Sequence, residues 1–204
     1  MDPIPDCTGV IVAGGRARRL GGTPKGLLRL GGETLAARTV ALFRSLFGEV
    51  LVAASDREPW ASLGATLVPD AIPGRGAPGG LHAALAAART GWIFAAGCDM
   101  PFLAEGPIRF LASRRGGSDA VVVEWERGLE GLHGFWSRRG LPVVERLLRE
   151  DEPSLRALAR GVGAAIVPAA EWRAVDPQGR SFENANTPED LARLGLLRPG
   201  PPGP

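Results

Sequence analysis

The chain has 204 residues, 45% hydrophobic and 23% charged, with a formal net charge of +2. These are globular proportions, which exclude wholesale disorder and the strongly basic surface of a nucleic-acid partner. No apolar run reaches the roughly 18–20 residues that a bilayer-spanning helix needs, so no membrane association is expected.

In chain order, "CTGVIVA" (Cys7–Ala13) is a β-branched apolar run that ends in Gly14-Gly15. It reads as a buried parallel strand followed by a glycine-rich loop. Glu33–Phe47 carries apolar residues at helical spacing, with Gly48 as its stop. Glu49–Ser55 and Ala65–Asp70 read as the second and third strands. "IPGRGAPGG" (Ile72–Gly80) is expected to be a loop, because its glycines and prolines do not suit a regular element. It opens into a helix over Leu81–Arg89. Gly91–Pro101 gives another buried strand, ending in Cys98-Asp99-Met100-Pro101. A helix over Glu105–Arg114 follows, then strands over Asp119–Trp125 and around Leu132–Trp136. Helices over Leu141–Arg149 and Ser154–Arg160 lead to a short strand over Ala164–Ala169. The last helix begins in Asn186–Gly195, with Thr187 as N-cap, Pro188 as first helical residue and Glu189-Asp190 at the positive dipole end.

Strands alternate with helices across the first half. That pattern predicts an α/β fold: a doubly wound, mainly parallel sheet with helices on both faces and a ligand at the carboxyl ends of its strands. No internal repeat or linker divides the sequence, so residues 1–198 are expected as one domain and 199–204, within "RPGPPGP", as a disordered tail. Cys7 and Cys98 are too few for a disulfide framework or a zinc site and suit a reducing cytosol. "MDPIPDC" lacks the basic start of a signal peptide. A cytoplasmic protein is expected.

Residue bias sharpens the functional reading. Of 24 Lys and Arg, Lys25 is the only lysine, and Asn184 and Asn186 are the only asparagines. Such a bias suggests a GC-rich coding sequence, under which a surviving Lys or Asn marks a position where its replacement fails. Lys25 lies in "VAGGRARRLGGTPKG" (Val12–Gly26), where backbone N–H groups can approach an anion and Arg16, Arg18, Arg19 and Lys25 add charge. A polyphosphate fits such a loop; a glycine turn with solvated arginines is the bland alternative. The loop is neither G-x-x-x-x-G-K-[ST], since Gly26 follows Lys25, nor G-x-G-x-x-G.

Asp99, just past a buried strand, either offers a hard oxygen ligand to Mg²⁺ in the nucleotide crevice or caps the turn before Met100-Pro101. In "SFENANTPEDL", Asn184 and Asn186 alternate and so share a face, each carrying an amide acceptor and donors. An Asx-type turn is the structural alternative for Asn186. Asp70, at the end of the third strand, reads as a ligand or as a structural loop acid. His82 and His133 carry no role by themselves, and no Ser-His-Asp or Cys-His arrangement points to covalent catalysis.

"AGGRARRLGGTPKGLL" resembles the signature loop of the molybdenum cofactor guanylyltransferases, and more loosely that of nucleotidyltransferases and sugar-nucleotide pyrophosphorylases, with matches at Gly14, Gly15, Arg19, Leu20, Gly21, Gly22 and Lys25. The resemblance implies a Rossmann-like three-layer nucleotidyltransferase fold with a mainly parallel central sheet. It implies that Val12, Ala13, Gly14 and Gly15 contact the nucleotide, that Lys25 binds its phosphates and that Arg19 assists. Asp99, shared with Asn186, would hold Mg²⁺ as the cofactor. Asn184 and Asn186, in an ending similar to the family's, would contact metal-bound phosphates or the second substrate.

Asp70, Gly76 and Gly80 fall where the family holds the nucleoside, and His133 where it contacts the pterin. Two departures stand out: Ala77-Pro78-Gly79 between the spaced glycines, and Ala53 where the family often has asparagine. The implied reaction transfers GMP from GTP to the terminal phosphate of molybdopterin cofactor and releases pyrophosphate. GTP and the cofactor are then the substrates, with molybdoenzymes or cofactor-carrier proteins as candidate partners. The alternatives are a relative using CTP or a sugar-phosphate acceptor, and a non-catalytic nucleotide-binding chaperone for molybdoenzymes.

Overall fold

The computed structural model describes residues 2–13, 24–72, 74–126, 128–150 and 153–199. The first strand, β1 (Cys7–Val12), is buried at all six positions. Its side chains alternate between two cores: Ile11 points to one face with Val52 and Phe94, while Val10 and Val12 point to the other with Leu51 and Ile93. A strand that must bury both faces reads as a near-continuous apolar run, and this one is interrupted only by Thr8, whose hydroxyl bonds Glu49 and Thr90.

Around β1 a seven-stranded sheet assembles in the order β5 (Thr66–Val68), β4 (Glu49–Ala53), β1, β6 (Trp92–Gly97), β8 (Gly128–Ser137), β7 (Ala120–Trp125), β9 (Ala165–Pro168). β8 runs antiparallel to both β6 and β7, and the remaining pairings are parallel. A small ladder, β2 (Arg29–Leu30) with β3 (Glu33–Thr34), stands apart. The chain passes from β1 to β4 and β5, then returns to the other side of β1 as β6. The carboxyl ends of β1 and β6 therefore lie at a topological switch point, where open α/β sheets bind ligands.

Helices cover both faces. On one, α1 (Leu35–Leu46), α3 (Glu105–Ala112) and α6 (Ala169–Trp172) supply Phe43, Leu111 and Trp172 to the core. On the other, α2 (Gly76–Ala87), α4 (Leu141–Leu147) and α5 (Leu155–Gly161) supply Leu81, Val144 and Leu158. The last helix, α7 (Pro188–Leu194), packs Leu191 and Leu194 with Leu28, Leu35 and Ala185 in a third, smaller cluster. Thr34, Ser154 and Thr187 accept the backbone N–H groups of Ala37, Ala157 and Asp190, which caps α1, α5 and α7; each such cap contributes about 1 kcal/mol. The three-layer, mainly parallel architecture expected from the alternating pattern is present. Among the described residues no helix is long and apolar enough to cross a membrane.

The stretch expected as a loop up to Gly80 is corrected: α2 begins at Gly76 and includes Gly79 and Gly80. Pro78 falls in the first turn, where its missing N–H has no intrahelical partner to lose. The glycines serve contact and conformation. Gly76 enters the helix at φ +57°, and a Cβ on Gly80 would lie 2.9 Å from Val12 Cγ1, so this helix approaches β1 more closely than any side chain allows. The strand read around Leu132–Trp136 extends to Gly128–Ser137 and carries a bulge, with the pairing shifting between Val121↔Phe135 and Val123↔Glu130. His133 sits in that irregular stretch at φ +71°.

Candidate active site

Pro24 precedes a 3₁₀ turn over Lys25–Leu27, which Lys25 opens. That turn is pinned by Gly26, which is buried against Trp60 and Cys98 so closely that an added Cβ would sit 2.7 Å from the Trp60 ring. At the neighbouring strand end, Cys98 donates its N–H to Val12 O at 3.2 Å, which ties the exit of β6 to β1. Asp99 follows immediately.

The Lys25 ammonium bonds Asp99 Oδ2 at 2.8 Å and Asn186 Oδ1 at 2.5 Å. Three residues separated by up to 161 positions thus meet at one nitrogen. The side chains of Lys25 and Asp99 keep 24% and 18% of their exposure, so the cluster is reachable from solvent.

The asparagines arrive on an extended segment, residues 183–186. Ala185, between them, is fully buried in the small third core, and its N–H donates to Asp99 O at 3.1 Å. Its two neighbours are thereby presented on the other side, where both line the same cleft. Two carboxylates hold the flanks. Asp176, 8% exposed, accepts the N–H groups of Arg180 (3.0 Å) and Ser181 (2.8 Å). Asp190 Oδ2 accepts those of Asn186 (2.9 Å) and Thr187 (3.0 Å). The Asn186 N–H, with Arg193 also bonded, holds the Asp190 carboxyl below the usual carboxylate range.

The cleft has a volume of about 650 Å³. It is lined by Pro78, Asp99, Asn184 and Asn186, by Leu129–Leu132 of β8 and by Pro153–Arg156 at the start of α5. Burial pushes the Cys98 thiol up to about 12, with the Asp99 charge adding to it, so this cysteine stays protonated and supplies no thiolate nucleophile.

Not every expected residue joins this cluster. Gly14, Gly15, Arg16, Arg18, Arg19, Leu20, Gly21 and Gly22 lie outside the described residues. Val12 is buried, and Ala13 donates its N–H to Ala53 O at 2.8 Å. Asp70 makes the structural bond that was its alternative reading: Oδ1 accepts the Ile72 N–H at 3.0 Å, and the carboxylate lies against Gly79 in the first turn of α2. His82 Nε2 stands 3.5 Å from Glu145 Oε1, on the α2–α4 face.

His133 is corrected most sharply. It has no exposed surface and is enclosed edge-on by Phe94, Trp172 and Phe182, so it has no access to a pterin in the cleft. Neither ring nitrogen has a hydrogen-bond partner among the described residues, and burial lowers its pKa to about 4. It is a neutral core residue.

The donor set fits a hard divalent cation. Asp99 Oδ2 and Asn186 Oδ1 already converge on one cationic nitrogen, and Mg²⁺ is commonly held by one or two protein oxygens together with water and phosphate. Among the described residues no group of three His, Cys, Asp or Glu forms a cage of its own.

Sequence reasoning missed the β8–α5 wall and both clamping carboxylates. Thr187-x-x-Asp190 is a capping-box spacing and could have been found. Asp176, in "DPQGRS", carried only a turn signal.

Residues 9–167 match the profile of the MobA-like NTP transferase domain. The chain is 33% identical to the molybdenum cofactor guanylyltransferase of Desulfosudis oleivorans, over 95% of each chain. It is 35% identical to a probable molybdenum cofactor guanylyltransferase of Chloroflexus aggregans, over 90% of this chain and 91% of that one. Its fold is similar to that of molybdopterin-guanine dinucleotide biosynthesis protein A from Archaeoglobus fulgidus, with a TM-score of 0.78 and 24% identity over 92% of this chain and 96% of that one.

Proposed function

Because the chain belongs to the MobA-like NTP transferase family and is a nucleotidyltransferase, we propose that it transfers GMP from GTP to the terminal phosphate of molybdopterin cofactor. The observation that carries this reading is the meeting of Lys25 with Asp99 and Asn186, two residues that line the cleft. A cation, a carboxylate and an amide at the carboxyl end of β6 are the groups that polyphosphate chemistry requires.

The acceptor phosphate oxygen attacks the α-phosphorus of GTP in line with the α–β bridging oxygen. The new P–O bond forms as the old one breaks, and pyrophosphate leaves with the bonding electron pair. An acceptor phosphate is already ionised near neutral pH, so no general base is needed, which agrees with a protonated Cys98 and a sequestered His133. Lys25, with Arg19 from the preceding loop, offsets the charge that develops on pyrophosphate. Asp99 and Asn186 would hold Mg²⁺, which supplies electrostatic stabilisation of the phosphates when bound. Asn184 binds a substrate phosphate beside them, and Val12 to Gly15, Gly76 and Gly80 border the nucleoside. The acceptor would lie along the β8–α5 wall of the cleft, beside Glu130, Ser154 and Arg156.

Pyrophosphate release tests the reading. GTP with molybdopterin cofactor should give acceptor-dependent release, and CTP or GTP without acceptor should give little. Equal turnover of CTP would remove the guanine assignment, and no acceptor-dependent release from either nucleotide would remove transferase activity on this acceptor.

A further inference from the structure

We propose that Lys25 closes the cation position of the free enzyme, and that an arriving triphosphate opens it by drawing the ammonium away. The proposal rests on the nucleotidyl-transfer reading and adds an order of events to it. The Lys25 ammonium has three N–H donors, and two of them are bonded to the oxygens that would ligate a divalent ion, at 2.8 and 2.5 Å. Mg²⁺ needs such oxygens at about 2.0–2.1 Å. Nζ therefore occupies both oxygens from the side the ion would approach, and its charge and volume exclude a second cation there.

The two sides of this contact differ in how they are anchored. Asp99 and Asn186 are fixed through their backbones: Ala185 N–H bonds Asp99 O at 3.1 Å, and Asp190 holds the N–H of Asn186 at 2.9 Å. When the ammonium leaves, both oxygens stay. Lys25 is held at its backbone by the packed Gly26, but its four-carbon stem is flexible and partly exposed. The mobile partner is thus the lysine.

A triphosphate carries more negative charge than one carboxylate and draws the ammonium onto itself. The freed oxygens and the phosphates then bind one divalent ion between them. Nucleotide and metal must bind with positive coupling, and the coupling is reciprocal. An arginine at this position would keep the charge but not the compact withdrawal, which explains the single lysine in a chain otherwise served by arginine.

The test uses the full chain and Mn²⁺ alone as the probe ion, with free Mn²⁺ followed by electron paramagnetic resonance. Lys25→Met should bind Mn²⁺ in the absence of nucleotide about 10-fold or more tighter than the parent chain, because the position is then open. Arg156→Met, which removes another cation from the cleft, should change Mn²⁺ affinity by less than about 3-fold. The double variant Lys25→Met/Asp99→Asn should lose the gain. Equal affinity in Lys25→Met and the parent, or an equal gain in Arg156→Met, overturns the proposal. Calorimetry of GTP with Mg²⁺ on the parent chain separates the two readings. GTP uptake with no Mn²⁺ gain in Lys25→Met removes the closed-site idea alone, and no GTP uptake removes the transferase reading whatever Mn²⁺ does.

Discussion

Asp99 and Asn186 accept bonds from the same ammonium, yet the molecule holds them in opposite ways. Asp99 leaves β6, which is hydrogen-bonded along both edges, to β1 and to β8, and whose residues Ile93, Phe94, Ala95 and Ala96 are fully buried. Asn186 rides on a segment without regular structure, held by Asp176 behind it, Asp190 ahead of it and the Asp99 carbonyl beside it. The strand spreads its anchoring over many contacts, so no neighbour is indispensable. The coil concentrates it in a few bonds, so individual carboxylates matter there far more than their distance from the chemistry suggests.

Four expected outcomes probe this contrast. The largest belongs to the strand side: Asp99→Asn should lower the rate of pyrophosphate release about 10²–10³-fold. Its unfolding midpoint in urea should barely move, because the backbone position does not depend on that side chain. A variant that keeps its activity would detach Asp99 from the reaction.

Next comes His133, in the aromatic cluster on which Phe182, at the start of the coil side, rests. Its folded pKa of about 4 lies below the ordinary 6.5, so the unfolded chain takes up the proton first as pH falls. The native state is therefore at full strength above about pH 6.5 and loses on the order of 3 kcal/mol between there and pH 4. The one charged group raising this pKa is Asp176, and its effect is smaller than that of burial. Urea unfolding of His133→Phe across this range should lack that contribution to the pH slope. An unchanged slope would show that the histidine titrates normally.

Asp176→Ala should be felt on the coil side alone. It leaves the Arg180 and Ser181 N–H groups without their acceptor and should cost about 2 kcal/mol of stability. Hydrogen exchange should accelerate at Ala185 and Asn186 but not in β6; equal acceleration in both would erase the contrast. Smallest is Thr187→Ala, which removes the cap of α7 and should cost about 1 kcal/mol, read in the thermal midpoint.

The strand side was legible in the sequence because its physics is periodic and local. Short β-branched runs such as Cys7–Val12, closed by glycines, read as strands buried on both faces, and an acidic residue just beyond Gly97 then falls at the sheet's carboxyl edge. Lys25 and the asparagines were legible for another reason: compositional bias made them conspicuous. Long-range packing escaped. The glycines at 76, 79 and 80 looked like a loop because nothing local reveals that Val12 and Asp70 press against their helix. His133 was placed against the pterin by the resemblance alone, and nothing in "GLEGLHGFW" announces the bulge that turns it into an aromatic core. The β8–α5 wall escaped for the same reason, since it exists only once two distant segments are brought face to face.

The 3.1 Å bond from the Ala185 N–H to the Asp99 carbonyl has one more implication. It ties the backbone that carries the carboxylate directly to the backbone that carries the amide, which sets the spacing of the two side chains. Anyone transplanting this centre into a foreign scaffold would have to carry both segments with that bond intact, since copying the side chains alone would leave two independent arms.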